Sequence, residues 1–193
     1  VDLIRTGSLY HDVGKLHAPD WFIENQKDGP NPHDALNDPE QSAAVLQAHV
    51  DEGLKLAKRH RLPRPIADFI PEHQGTLKMG FFLHKARQIN PNIEEKRFRY
   101  HGPSPRSKET GILMLADGCE AALRSLPPDT SEAEAKETVR RIVESRQQDG
   151  QLRKSGLSRY EVELIVQAFV KVWRRMRHRR IPYPIPSRPR HSA

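Results

Sequence analysis

The chain has 193 residues, 36% hydrophobic and 30% charged, and carries a formal net charge of +7. This length predicts one domain around one core, and the positive balance favours anionic partners such as nucleotides, nucleic acid or acidic headgroups. No run of about 18 apolar residues occurs, so neither a membrane span nor a secretory leader is expected; the single cysteine, Cys119, excludes an internal disulfide and a Cys-rich zinc site and suits a reducing compartment.

The first segment, residues 1–13, reads as the tail of a helix. Leu3, Ile4, Leu9 and Tyr10 lead into His11-Asp12, and Gly14 is the expected C-cap. Because the chain opens on Val1 inside this apparent helix, a longer parent protein is expected. An imidazole beside a carboxylate offers two metal ligands of different hardness, and the carboxylate can bridge two ions. Lys15 follows, placed to meet an anionic substrate. Residues 14–37 read as a long ordered loop, punctuated by Pro19, Gly29, Pro30 and Pro32 and held down by Trp21, Phe22 and Ile23. Within it Asn25, Gln26, Asn31 and His33 either order the site or merely make turns.

Asp38-Pro39-Glu40-Gln41 is a helix start, with Asp38 as N-cap and Pro39 at the first position. Val45, His49, Gly53 and Leu56 share one face, which turns His49 inward as a ligand or as a core histidine. Residues 63–73 predict a short helix that Pro71 kinks or ends, with His73 next and Gly75 turning the chain. Phe81 to Ile89 predicts a further helix, and residues 90–105 a loop flanked by Arg97, Arg99 and Lys108, which read as phosphate contacts or plain surface charge. A helix from about Pro105 to Leu126 buries Leu113, Leu115 and Ala116 and carries Asp117 beside that face. Capping boxes at Ser131/Glu134 and Ser158/Glu161 open two last helices. The final one carries the stripe Val162, Ile165, Phe169, Val172 and Met176 and an arginine run, Arg174 to Arg180. The stripe reads as core or as a homodimer seam. From Ile181 on, an extended Pro/Arg tail is expected.

Taken in order, His11-Asp12 with Gly14-Lys15, the segment Pro19 to Gln26, Asn31 to Asp34, His49, His73-Gln74-Gly75-Thr76, Phe98 to Pro103 and Met114 to Asp117 resemble the HD phosphohydrolases. The series is similar in particular to the cytoplasmic HD domain of the bacterial seven-transmembrane HD proteins. The resemblance implies an all-α HD helical bundle over residues 1–183 and a mobile tail over 184–193. It implies two divalent metal ions, iron or manganese, held by His11, Asp12, His49, His73 and Asp117. Asp12 and Lys15 become the catalytic residues, and Lys15, Asn25, His33, Arg99 and Lys108 candidate substrate contacts. The implied reaction is hydrolysis of cyclic di-AMP to pApA by a metal-activated water, on the cytoplasmic face of the inner membrane, below upstream transmembrane and sensory regions. No nucleic-acid partner is expected.

Two departures stand against this pattern. Gln74 occupies the place of a second adjacent histidine, which makes it a doubtful ligand, and the family's first histidine lies on a helix upstream of Val1. They support the alternative of a degenerate HD domain that binds cyclic di-AMP, or scaffolds, without cutting it. A cyclic di-GMP enzyme of the Gly-Tyr-Pro type is disfavoured, because His73 to Gly80 lacks that signature.

Overall fold

The computed structural model describes residues 1–26 and 30–178. The predicted tail, Arg179 and Arg180 lie outside the described residues, as do positions 27–29 of the long loop. The helices are α1 (Asp2–Tyr10), α2 (Pro32–Leu36), α3 (Pro39–Arg59), α4 (Arg64–Ala67), α5 (Phe69–Glu72), α6 (Gly80–Ile89), α7 (Lys108–Arg124), α8 (Glu132–Gln148) and α9 (Arg159–His178). Among the described residues there are no strands, only one isolated bridge between Lys78 and Arg99. No helix among them is long and apolar enough to cross a membrane. The fold is all-α, as the sequence predicts.

Capping residues set most boundaries. The Asp38 side chain accepts from the Gln41 amide, and Pro39 opens α3 where its missing N–H costs nothing. Ser131 and Glu134 close a reciprocal capping box at α8, and Ser158 and Glu161 do the same at α9. The start of α7 falls at Lys108 rather than at Pro105, because the Ser107 side chain is the group that accepts from Thr110 N–H.

Two local expectations need correction. Gly14 does not cap α1, which ends at Tyr10; His11 and Asp12 lie just past it, and Gly14 belongs to a 3-10 turn, Val13–His17. The described part of the long loop is ordered, as the sequence predicts, by 3-10 turns at Pro19–Trp21 and Ile23–Asn25, and the short helix α2, capped by Asn31, lies within its span. Pro71 does not end its helix. It sits in the first turn of α5, and the break falls at Asp68, after α4 has ended on Ala67. A proline ring clashes with the carbonyl four residues back, so the interruption appears one turn upstream of the proline.

The core has three parts. Met114, Leu115, Val139, Val143, Val162, Val166 and Val170 join α7, α8 and α9. Ala43, Leu83, Ala86, Ile93 and Phe98 pack α6 and the 90–98 segment on α3. Each fully buried side chain of this size contributes about 1.5–3 kcal/mol. The predicted stripe of α9 divides accordingly: Val162 is core, Ile165 and Phe169 are half-buried against it, and Val172 and Met176 are exposed, while Val166 and Val170, outside that stripe, are buried. The third, Val50, Ala57 and Ile70, joins α3 to α5, and the site lies where α1, the turn after it, α3, α5 and α7 converge.

Candidate metal centre

Backbone approach comes first. A Cβ at Gly14 would lie 1.8 Å from the His49 carbonyl oxygen and 2.5 Å from Gly53 N. Only a residue without a side chain lets the turn rest directly on α3, and this contact brings Asp12 to His49.

Three histidines then meet. In each, Nδ1 faces a backbone carbonyl three residues earlier: His11 to Ser8 at 2.8 Å, His49 to Leu46, and His73 to Ile70 at 2.7 Å. A carbonyl only accepts, so each Nδ1 carries the hydrogen and each Nε2 is left with its lone pair facing the centre. Those atoms surround one carboxylate. Asp12 Oδ1 lies 3.3 Å from His73 Nε2 and 3.5 Å from His49 Nε2, and Oδ2 lies 3.2 Å from His11 Nε2. The Nε2 atoms of His49 and His73 are only 3.4 Å apart. Asp12 Oδ1 is buried without a hydrogen-bond partner.

This donor set fits a cation. Converging lone pairs around a buried carboxylate repel one another unless a positive charge sits among them. Ring Nδ1–H groups anchored on carbonyls are the support that orients histidine ligands. His11, Asp12 and His73 offer atoms within 4.8 Å of one another. Without a metal, protons take that place. Burial opposes a charge on His11, yet the hydrogen bond and charge of Asp12 raise its pKa above the ordinary value. Burial likewise opposes ionisation of Asp12, and the imidazoles of His11 and His73 hold its carboxyl well below the usual carboxylate range. Deeper in, burial and the neighbouring His73 lower His49 to about 4. Phe22 and Tyr100 pack edge-on against its ring, with centroids at 5.5 and 5.9 Å.

Asp117 on α7 faces the same centre, its Oδ1 3.9 Å from His11 Nε2, and is 38% exposed. It stands at the rim rather than inside. Lys15 borders the centre through Asp12, its ammonium 2.6 Å from Asp12 Oδ2, paired also with Glu24 and 5.1 Å from the centre of the Phe22 ring. Burial lowers its pKa, but the two carboxylates more than reverse that and raise it.

The other sequence candidates lie elsewhere. His33 Nε2 donates to the Trp21 carbonyl, and the ring packs between Trp21 and Phe82, so it fastens the loop. Asn25 is exposed. Arg99 forks onto Glu95 and Asp149 and donates to the Thr76 carbonyl, and Lys108 pairs with Glu161. Gln74, directly after His73, is half-buried.

Two participants escaped the sequence reading. Glu24 was passed over as a loop carboxylate, though it stands nine residues after Lys15. Glu72, 1% exposed, precedes His73 and accepts from Arg106 N at 2.8 Å, Arg106 Nε at 2.7 Å and Thr110 Oγ1 at 2.7 Å. It ties α5 to the start of α7 and so fixes His73 relative to Asp117. An acidic residue between an apolar helix and a candidate ligand was the available signal.

The chain belongs to the HD domain family, whose model matches residues 1–122. HD domains bind divalent metals and are phosphohydrolases. More particularly, the chain is 37% identical over 182 residues to the cyclic-di-AMP phosphodiesterase PgpH of Listeria monocytogenes and, equally, to that of Bacillus subtilis, covering 94% of this chain and 25% of each relative. It is 50% identical over 189 residues to an uncharacterized protein of Synechocystis, covering 95% of this chain and 23% of that one. It thus spans about a quarter of the length of these curated relatives. The crystal structure of the L. monocytogenes PgpH HD domain in complex with cyclic-di-AMP superposes with a TM-score of 0.86 at 36% identity, covering 90% of this chain and 80% of that one.

Proposed function

We propose that this chain is a metal-dependent phosphodiesterase that hydrolyses cyclic di-AMP to linear pApA. One observation carries the reading: three Nε2 atoms and a buried, unpartnered carboxylate oxygen face a single point. The similarity to PgpH, and to its HD domain in complex with cyclic-di-AMP, supports the substrate.

His11, Asp12, His49 and His73 would hold a divalent ion, with Asp117 at the rim. A divalent cation in such a site supplies Lewis-acid polarisation of a phosphoryl oxygen and hydroxide near neutral pH. The chain's own residues do the rest. The carbonyls of Ser8, Leu46 and Ile70 keep the three imidazoles in one tautomer and orientation. Phe22 and Tyr100 keep water from the inner side of His49. Lys15, kept protonated by Asp12 and Glu24, offsets negative charge that develops on the phosphoryl oxygens. Water adds to phosphorus, the bond to one ribose O3′ breaks, that oxygen takes a proton, and the other phosphodiester stays intact.

Product chromatography tests this reading. With manganese or ferrous iron, the chain converts cyclic di-AMP to pApA, and His11→Ala and Asp12→Ala abolish the conversion. Binding of cyclic di-AMP without turnover under either metal would refute hydrolysis and favour a sensor.

A further inference from the structure

A cyclic dinucleotide carries two phosphodiester anions on one ring. The four converging donors serve only one of them, so the second needs a cation of its own. Lys15 at the site is paired with Asp12 and Glu24, and farther out Arg99 is paired with Glu95 and Asp149 and Arg106 with Glu72.

Arg146 on α8 differs. Among the described residues its side chain makes no hydrogen bond or close ion pair, and its Nε is buried without a partner. Its position is defined by a glycine. A Cβ at Gly118 would lie 3.1 Å from Arg146 Nη2 and 3.8 Å from Cζ, so the guanidinium lies along bare α7 backbone. Gly118 directly follows Asp117, whose carboxylate faces His11. Burial lowers the proton affinity of Arg146, opposed by the surrounding Cys119, Asp117 and Asp149. A guanidinium nevertheless stays charged in proteins, and a largely buried charge without a partner is costly. An anion supplied from outside removes that cost, and a planar fork of N–H donors matches phosphate oxygens.

We infer that Arg146 binds the phosphodiester of the cyclic dinucleotide that is not being cut, and so distinguishes a two-phosphate ring from a simple diester. This rests on the function proposed above and extends it from the reaction to the recognition of the substrate.

The test uses two probes with the manganese-loaded chain: cyclic di-AMP, with two phosphates, and bis(p-nitrophenyl) phosphate, with one. Arg146→Met is expected to raise KM for cyclic di-AMP by about ten- to a hundredfold, the loss of a charge-assisted contact. Its loss of kcat/KM on cyclic di-AMP should exceed that on the one-phosphate probe at least tenfold, with partial recovery in Arg146→Lys. In the unaltered chain, which needs no variant to fold, KM for cyclic di-AMP should rise with salt more steeply than KM for the one-phosphate probe. Equal losses on both probes, or no loss on cyclic di-AMP, would overturn the assignment while leaving the proposed reaction standing. Failure of the unaltered chain to cut cyclic di-AMP while it cuts the simple diester would remove the substrate reading, and this inference with it.

Discussion

Gly14→Ala is the smallest change that should disassemble the site. The added methyl would sit 1.8 Å from the His49 carbonyl oxygen and 2.5 Å from Gly53 N, where real Cβ contacts are essentially never under 3.0 Å. Both obstacles are α3 backbone, which cannot rotate aside, so the turn must retreat by roughly 1 Å or more. Overpacking of this kind costs about 1–3 kcal/mol, and a rigid obstacle places this case at the upper end. For a domain of this size that lowers Tm by about 6–12 °C. Asp12 moves with the turn, so its 3.5 Å approach to His49 Nε2 lengthens and manganese affinity falls, by about tenfold or more. Gly53→Ala is the internal comparison. Its methyl meets Ile70 Cγ2, a side-chain rather than a backbone atom, at 2.8 Å and Gly14 N only at 3.4 Å; because Ile70 is β-branched and fully buried it gives little, and the change should cost about 1–2 kcal/mol. Urea denaturation and calorimetric manganese titration of both variants measure the difference. A Gly14→Ala protein within about 0.5 kcal/mol of the parent, with unchanged manganese affinity, would refute the backbone-contact account.

Glu72→Ala strips acceptors from Arg106 N–H and Thr110 O–H and should cost about 2–4 kcal/mol, with little added for the half-exposed guanidinium; Glu72→Gln keeps one acceptor oxygen and should cost less in the same urea titration. Burial pushes the Cys119 thiol up to about 12 despite Arg146, so the native protein should resist iodoacetamide at pH 8 and react only when unfolded. In metal-free protein, NMR titration should place His49 near 4 and His11 above its ordinary 6.5. The sign for stability follows. His49 has a folded pKa below its unfolded value, so its contribution is complete above about pH 6.5 and disappears as pH falls toward 4. His11 has a raised folded pKa, so its contribution is complete below 6.5 and is lost as pH rises through that raised value.

Local signals were legible where one side chain settles a boundary. Asp38, Ser131 and Ser158 cap the helices that their sequences announce, and the three- and four-residue spacing around His49 turned it inward. What escaped depends on contacts between distant segments. The interruption at Asp68 depends on the carbonyl of Ala67, four residues before Pro71, not merely on the presence of a proline. Gly14 looked like a helix stop because nothing in the sequence tells a left-handed glycine from one pressed against another backbone. Arg99 read as a phosphate contact because its partner Asp149 lies fifty residues on. Its other partner, Glu95, is four residues earlier in a 3-10 turn that no pattern announced. The histidine anchors were hidden for a different reason: their acceptors are backbone carbonyls three residues back, which every sequence possesses.

The most direct test is an anomalous difference map from crystals of this chain soaked in manganese. A peak within bonding distance of His11 Nε2, Asp12 Oδ1, His49 Nε2 and His73 Nε2, lost in Asp12→Ala, is the predicted result. A map without density at that point under saturating manganese, or a peak held by other residues, would contradict the account.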